Sequence, residues 1–166
     1  ARWRPRTNRI YRLRGNAVTT SPRLRLSWGG ATDQGRVRAN NQDAMYADWG
    51  LFVVADGMGG HQGGEVAANL AVRAVAKAER GSVSDLRNAV VEANRLVHET
   101  AIAQPELHGM GTTLTALAVD QHGAGHQFVV LNVGDSRVYR YRDNQLEQLT
   151  EDHSYVAELV RRGEID

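Results

Sequence analysis

The chain has 166 residues, 42% of them hydrophobic and 23% charged, which suits one globular domain and excludes a collagenous, coiled-coil or wholly disordered protein. It contains no cysteine, so disulfide frameworks, zinc–thiolate sites and thiol catalysis are excluded, and any chemistry rests on carboxylates, histidines, hydroxyls or arginine. The net charge of +1 is unevenly spread: eight of the 20 basic residues are arginines within residues 1–25, a stretch with no acid, which leaves 12 basic against 19 acidic side chains elsewhere.

Residues 1–25 read as a basic, disordered leader, because Pro5, Gly15 and Pro22 interrupt any helix. A nucleic-acid-binding arm is the other reading of this stretch, but only these arginines motivate it and no nucleic-acid partner is expected. The leader has no apolar run long enough for a signal peptide or a membrane span. The remainder, 26–166, reads as one domain.

Leu24-Arg25-Leu26-Ser27-Trp28 alternates with period two and predicts a strand, followed by a polar loop over 32–41. A second strand is predicted over 43–48. After a turn at Trp49-Gly50, the apolar run Leu51-Phe52-Val53-Val54-Ala55 predicts a buried strand that stops at Asp56. A glycine-dense loop fills 56–64. Val66, Leu70 and Ala74, flanked by Ala67, Ala71 and Val75, then predict an amphipathic helix from Glu65 to about Arg80. A second helix is predicted over 84–104, with Leu86, Val90, Ala93 and Val97 as its buried stripe and Pro105 as its stop. Strand patterns return over 112–119, 127–133, 136–141 and 145–149, and their short connections require antiparallel pairing. A last helix begins near Asp152. The class is α+β, with antiparallel sheets and helices packed on them.

The strand end at Asp56 is the most informative place, because a carboxylate at the tip of a rigid strand is held in a fixed direction and nearby glycines allow close backbone approach. A dinucleotide-binding turn would need glycine where Gln62 stands, and no P-loop lysine follows. Asp56 beside a phosphate would be repulsive unless a cation lay between them. Oxygen ligands without cysteine suit Mg²⁺ or Mn²⁺. A second acidic loop, Gly134-Asp135-Ser136-Arg137, stands between two predicted strands, and by itself Asp135 reads as turn chemistry ahead of a ligand. Ser136 lacks the flanking glycines of a nucleophile elbow. Arg38, five residues before Asp43, offers a planar fork that suits phosphate, although a lone arginine is commonly just solvated.

Five stretches in order carry a resemblance: Thr32-Asp33-x-Gly35-x-x-Arg38-x-x-Asn41-Gln42-Asp43, Val54-Ala55-Asp56-Gly57-Met58-Gly59-Gly60-His61, Gly111-Thr112-Thr113, Asn132-Val133-Gly134-Asp135-Ser136-Arg137 and Leu149-Thr150-x-Asp152-His153-Ser154. Over about 27–166 the chain resembles the metal-dependent PP2C-type (PPM) serine/threonine protein phosphatases, bacterial branch. The resemblance implies a four-layer αββα sandwich of two antiparallel sheets flanked by helices, and hydrolysis of phosphoserine and phosphothreonine by a metal-activated water with Mn²⁺ or Mg²⁺. It implies Asp56 as the carboxylate bridging two ions, Gly57 as a carbonyl ligand, Asp135 at a possible third ion, Asp43 supporting the water network and Arg38 holding the substrate phosphate. Implied partners are phosphorylated proteins and Ser/Thr protein kinases, with a monomeric, cytoplasmic protein expected.

Two positions depart from the pattern. Gln42 stands where many members carry a glutamate, and Met58 where eukaryotic members carry a histidine proposed as general acid. His61 is then the candidate for protonating the leaving oxygen, or else a histidine that orders the glycine turn. The family completes its metal centre with aspartates in Asp-Gly and Asp-Asn motifs, and neither motif occurs after residue 154. The sequence is therefore expected to be a C-terminally incomplete domain, a fragment with little or no activity of its own. The alternative is a pseudophosphatase, a phosphoprotein-binding module without catalysis.

Overall fold

The computed structural model describes residues 11–13, 24–60, 62–77, 82–123 and 125–164. Its main sheet is antiparallel and built from β1 (Tyr11–Leu13), β2 (Asp43–Asp48), β3 (Leu51–Met58), β4 (Gly111–Thr112), β5 (Leu114–Gly123) and β6 (Gly125–Val133). The strand order is β1-β6-β5-β3-β2, with β4 continuing the pairing of β3 beyond β5. A separate hairpin of β7 (Tyr139–Arg142) and β8 (Gln145–Gln148) forms the second antiparallel sheet. Asp143 and Asn144 both have positive φ at its tip, the backbone twist that two-residue hairpins require.

Helices α1 (Gly63–Ala76) and α2 (Val83–Ala103) cover one face of the main sheet. On β3, Leu51, Val53 and Ala55 are buried beneath them, while Val54, Asp56 and Met58 emerge on the opposite face, as period-two alternation dictates. Leu114 and Ala116 from β5, and Val129 and Leu131 from β6, complete the sheet side of the core. Ala68, Ala71, Val72 and Val75 of α1 fill the other side with Leu86, Ala89, Val90 and Ala93 of α2. The small residues of α1 let the helix lie close on the strands. A 3₁₀ turn, Pro105–Leu107, follows α2, and Leu107 and Met110 pack with Ala67 in a satellite cluster that fastens this turn to α1. Helix α3 (Tyr155–Arg161) comes last.

Both long helices match the periodicity, and α2 starts at Ser82, whose hydroxyl accepts from the Asp85 backbone N–H. Other boundaries moved. Leu24 to Trp28 form no strand: Trp28 instead packs edge-on against Phe52 and tilted against Trp49, so the alternation reflects aromatic contact and not a ladder. Strand β3 runs past Asp56 to Met58 because Gly57 and Met58 pair with Thr112 and Gly111. The stretch expected as one strand over 112–119 is interrupted at Thr113, and 136–138 is irregular. Within the basic leader, Tyr11–Leu13 pair with Val130, Val129 and Phe128 of β6 and cap an edge that would otherwise be open. No helix among the described residues is long and apolar enough to cross a membrane.

Candidate active site

The site lies on the sheet face opposite the helices, at the ends of β2 and β3. Asp43 and Asp56 are direct cross-strand partners, so their carboxylates leave the same face side by side. Gly57 continues the strand with its N–H donating to the Gln42 carbonyl at 3.1 Å. The first turn of α1 crowds this point: a Cβ at Gly57 would stand 1.9 Å from the Gly64 carbonyl oxygen, and one at Gly64 would stand 2.8 Å from that of Gly57. Only paired glycines permit this approach, which brings the start of a helix against the strand end.

The loop before β2 is shaped by short-range bonds. Gly35 N–H donates to Asp33 Oδ1 at 2.7 Å, Asn41 Nδ2 to Thr32 Oγ1 at 2.7 Å, and Asp43 N–H to Asn41 Oδ1 at 3.0 Å. These turns present Arg38 to the cleft. Gln42 lies between Arg38 and the glycine loop: its side-chain oxygen faces Arg38 Nη1 and its amide nitrogen faces the Gly59 carbonyl, both at 3.5 Å. An amide can serve both neighbours, whereas a glutamate there could accept from Arg38 but would confront the carbonyl of Gly59.

The Asp135 loop is held from behind. Buried Asn132 accepts from Thr115 Oγ1 at 2.6 Å and donates to the Gly134 carbonyl at 3.2 Å, while His153 N–H donates to that carbonyl at 2.8 Å. Arg137 grips Asp152 through two parallel bonds, Nε to Oδ1 at 2.9 Å and Nη2 to Oδ2 at 2.7 Å. The guanidinium bonds hold the Asp152 carboxyl below its usual range. Two of the sequence stretches, 132–137 and 149–154, are thus mutual structural partners.

Asp56 titrates above the usual carboxylate range. Burial is the largest cause, the negative charge of Asp43 comes next, Arg38 opposes both, and a hydrogen bond with Asp43 and the charge of Asp135 add to the rise. Arg38, Asp56, Gly57 and Asp135 line one cleft, beside Gln62, Thr113 and Glu106. Of the residues singled out in the sequence, the fold thus brings Arg38, Asp56, Gly57 and Asp135 to one cleft with Asp43 paired to Asp56, and His61 falls outside the described residues. Glu106 went unnoticed in the sequence, since a lone acid after a proline reads as ordinary helix-start chemistry.

Among the described residues no three His, Cys, Asp or Glu side chains stand close enough to hold an ion by themselves. The donors present are nevertheless all hard oxygens, and burial, then the neighbouring negative charges, raise the pKa of Asp56. That chemistry fits a divalent ion that keeps several waters.

Residues 33–162 match the family model described as Protein phosphatase 2C. The chain belongs to the protein phosphatase 2C family. It is 40% identical over 147 residues to the serine/threonine protein phosphatase PstP of Mycobacterium tuberculosis, covering 86% of this chain and 28% of that protein. It is 41% identical over 152 residues to the serine/threonine phosphatase stp of Listeria welshimeri, covering 81% of this chain and 57% of that one. The crystal structure of Mycobacterium tuberculosis PstP/Ppp superposes with a TM-score of 0.73 at 41% identity, over 81% of this chain and 58% of that one. A structure of the PstP catalytic domain in complex with two manganese ions gives a TM-score of 0.72 at 42% identity, over 81% and 59% of the two chains. The chain therefore spans between about a quarter and three fifths of the length of these phosphatase 2C relatives, all of them bacterial where an organism is named.

Proposed function

We propose that the Asp56 cleft is the active site of a metal-dependent protein phosphatase that hydrolyses phosphoserine and phosphothreonine in phosphorylated proteins and so opposes Ser/Thr protein kinases. The observation that carries this reading is one cleft that holds the paired Asp56 and Asp43 at a strand end together with Asp135 and the Arg38 guanidinium. Carboxylates alone would repel a phosphate dianion, and one exposed arginine would bind it without activating anything. Together they are suited to a hard cation and its phosphate ligand.

In this reading Asp56 and the Gly57 carbonyl hold Mn²⁺ or Mg²⁺, and Asp135 holds a further ion beside them. Such an ion, when bound, neutralises phosphoryl charge and lowers the pKa of water. Arg38 takes the non-bridging phosphate oxygens in its fork and fixes the phosphorus for in-line attack. Asp43 accepts hydrogen bonds from water beside Asp56 and keeps it oriented. His61, the only histidine in 56–64, donates a proton to the departing serine or threonine oxygen. Because no third carboxylate closes on Asp56 and Asp43 among the described residues, turnover by this chain alone is expected to be slow.

The test is phosphate release from a phosphothreonine peptide with the chain in excess. Slow release with Mn²⁺ that falls about 100-fold or more in Asp56→Asn is expected. Release that persists in EDTA, or that Asp56→Asn leaves intact, would overturn the assignment.

A further inference from the structure

Thr113 interrupts the strand that would otherwise run unbroken from β4 into β5, and it does so opposite Asp56. At every second position of a regular antiparallel ladder, the one Asp56 and Thr113 occupy, two facing residues exchange both backbone bonds. Here Thr113 N–H donates to the Asp56 carbonyl at 2.9 Å, but Asp56 N–H donates at 3.0 Å to the Thr113 hydroxyl. The Thr113 carbonyl accepts instead from Thr112 Oγ1 at 2.8 Å. Thr113 therefore binds both backbone groups of Asp56, whose carbonyl also lies 3.0 Å from Thr112 Oγ1, and the Thr113 side chain has entered the ladder.

That side chain has a second engagement. Thr113 Oγ1 and Ser136 Oγ share a hydrogen bond of 2.7 Å. The Thr113 methyl meets the same loop: a Cβ on Gly134 would stand 2.9 Å from Thr113 Cγ2, and Gly134 has φ +98°. Hydroxyl and methyl thus grip the residues on either side of Asp135, while the hydroxyl holds Asp56. Thr113 is 95% buried, and a hydroxyl carries one donor and two acceptor sites, enough for both bonds at once. The chain Asp56 N–H, Thr113 Oγ1, Ser136 Oγ is a direct mechanical link between two carboxylates that are 79 residues apart in sequence.

We propose that Thr113 is a positioning residue that sets the Asp135 loop relative to Asp56, so that the two carboxylates hold neighbouring cations in one cleft. This inference rests on the metal reading given above. Valine would keep the shape and remove the link, leaving the Asp56 N–H and the Ser136 hydroxyl without this partner. Serine would keep the link.

The experiment titrates the 166-residue chain with Mn²⁺, reading free ion by electron paramagnetic resonance and the broadening of backbone amide NMR signals near residues 56 and 135. Both groups of signals are expected to broaden together in the unmodified chain. Thr113→Val is expected to weaken Mn²⁺ by about 10-fold or more and to lose the broadening at 134–137 while keeping it at 56–58. Thr113→Ser should restore most of the affinity. Ser136→Ala cuts the link from the loop side and gives the same pattern even if the valine variant fails to fold. Wild-type affinity and joint broadening in folded Thr113→Val or Ser136→Ala would overturn this inference alone. Mn²⁺ binding that is absent, or that Asp56→Asn leaves unchanged, would overturn the metal reading and this inference with it.

Discussion

At Asp56, burial and the neighbouring Asp43 charge favour the neutral acid, and Arg38 only partly offsets them. A carboxyl whose folded pKa is raised binds its proton more tightly in the folded state. Its contribution therefore supports the fold below the ordinary carboxylate pKa and is lost as pH rises through the raised value. In the metal-free chain at neutral pH the ionised Asp56 is a net cost, so Asp56→Asn is expected to raise Tm in EDTA at pH 7. The gain should vanish near about pH 3, where both forms are neutral, and scanning calorimetry at the two pH values checks the sign. Arg38→Ala is expected to weaken a peptide bearing a non-hydrolysable phosphonate by about 10- to 100-fold, as loss of a charge-assisted phosphate contact implies. Its affinity for the unmodified peptide should not change. Sequence spacing made Asp56, Arg38 and Asp135 legible, because each stands in a distinctive local pattern. It could not reveal Thr113 as the link between them, since a second threonine in a strand reads as β-propensity.

At the scale of elements, the tight contact between the end of β3 and the start of α1 carries a clear consequence. Gly64→Ala would drive a Cβ to 2.8 Å from backbone atoms of Gly57 and 2.9 Å from the Gln42 side chain. Backbone cannot yield as a flexible side chain can, so a loss of about 3 kcal/mol is expected in urea unfolding. Ser82→Ala, which removes the cap on α2 at the Asp85 N–H, should cost about 1 kcal/mol. Helices α1 and α2 were readable because their apolar residues repeat at helical spacing over many turns. Strand ends were not. Gly57 and Met58 join β3 through partners 55 and 53 residues away, and 136–138 is kept irregular while Arg137 turns to Asp152. Neither partner is visible in a local window of sequence.

For the whole molecule, the α+β class followed from two periodic helices set among short antiparallel strands, and the structure keeps it. The second sheet appears as the β7–β8 hairpin, and Tyr11–Leu13 add a strand that a basic, proline-broken leader gave no reason to expect. Backbone pairing is largely indifferent to side-chain polarity at an edge. The core joins β5 and β6 to both helices, and Leu131 at its centre is 1% exposed. Leu131→Ala is expected to cost about 2–5 kcal/mol in urea unfolding. The central claim is that this scaffold brings a divalent cation and a phosphate monoester to one point at Asp56. Calorimetric titration of a phosphonate-bearing peptide with and without saturating Mn²⁺ tests it most directly. Each ligand should raise the affinity of the other by the same factor, and that coupling should disappear in Asp56→Asn. Equal peptide affinity with and without Mn²⁺, or coupling that survives Asp56→Asn, would contradict it.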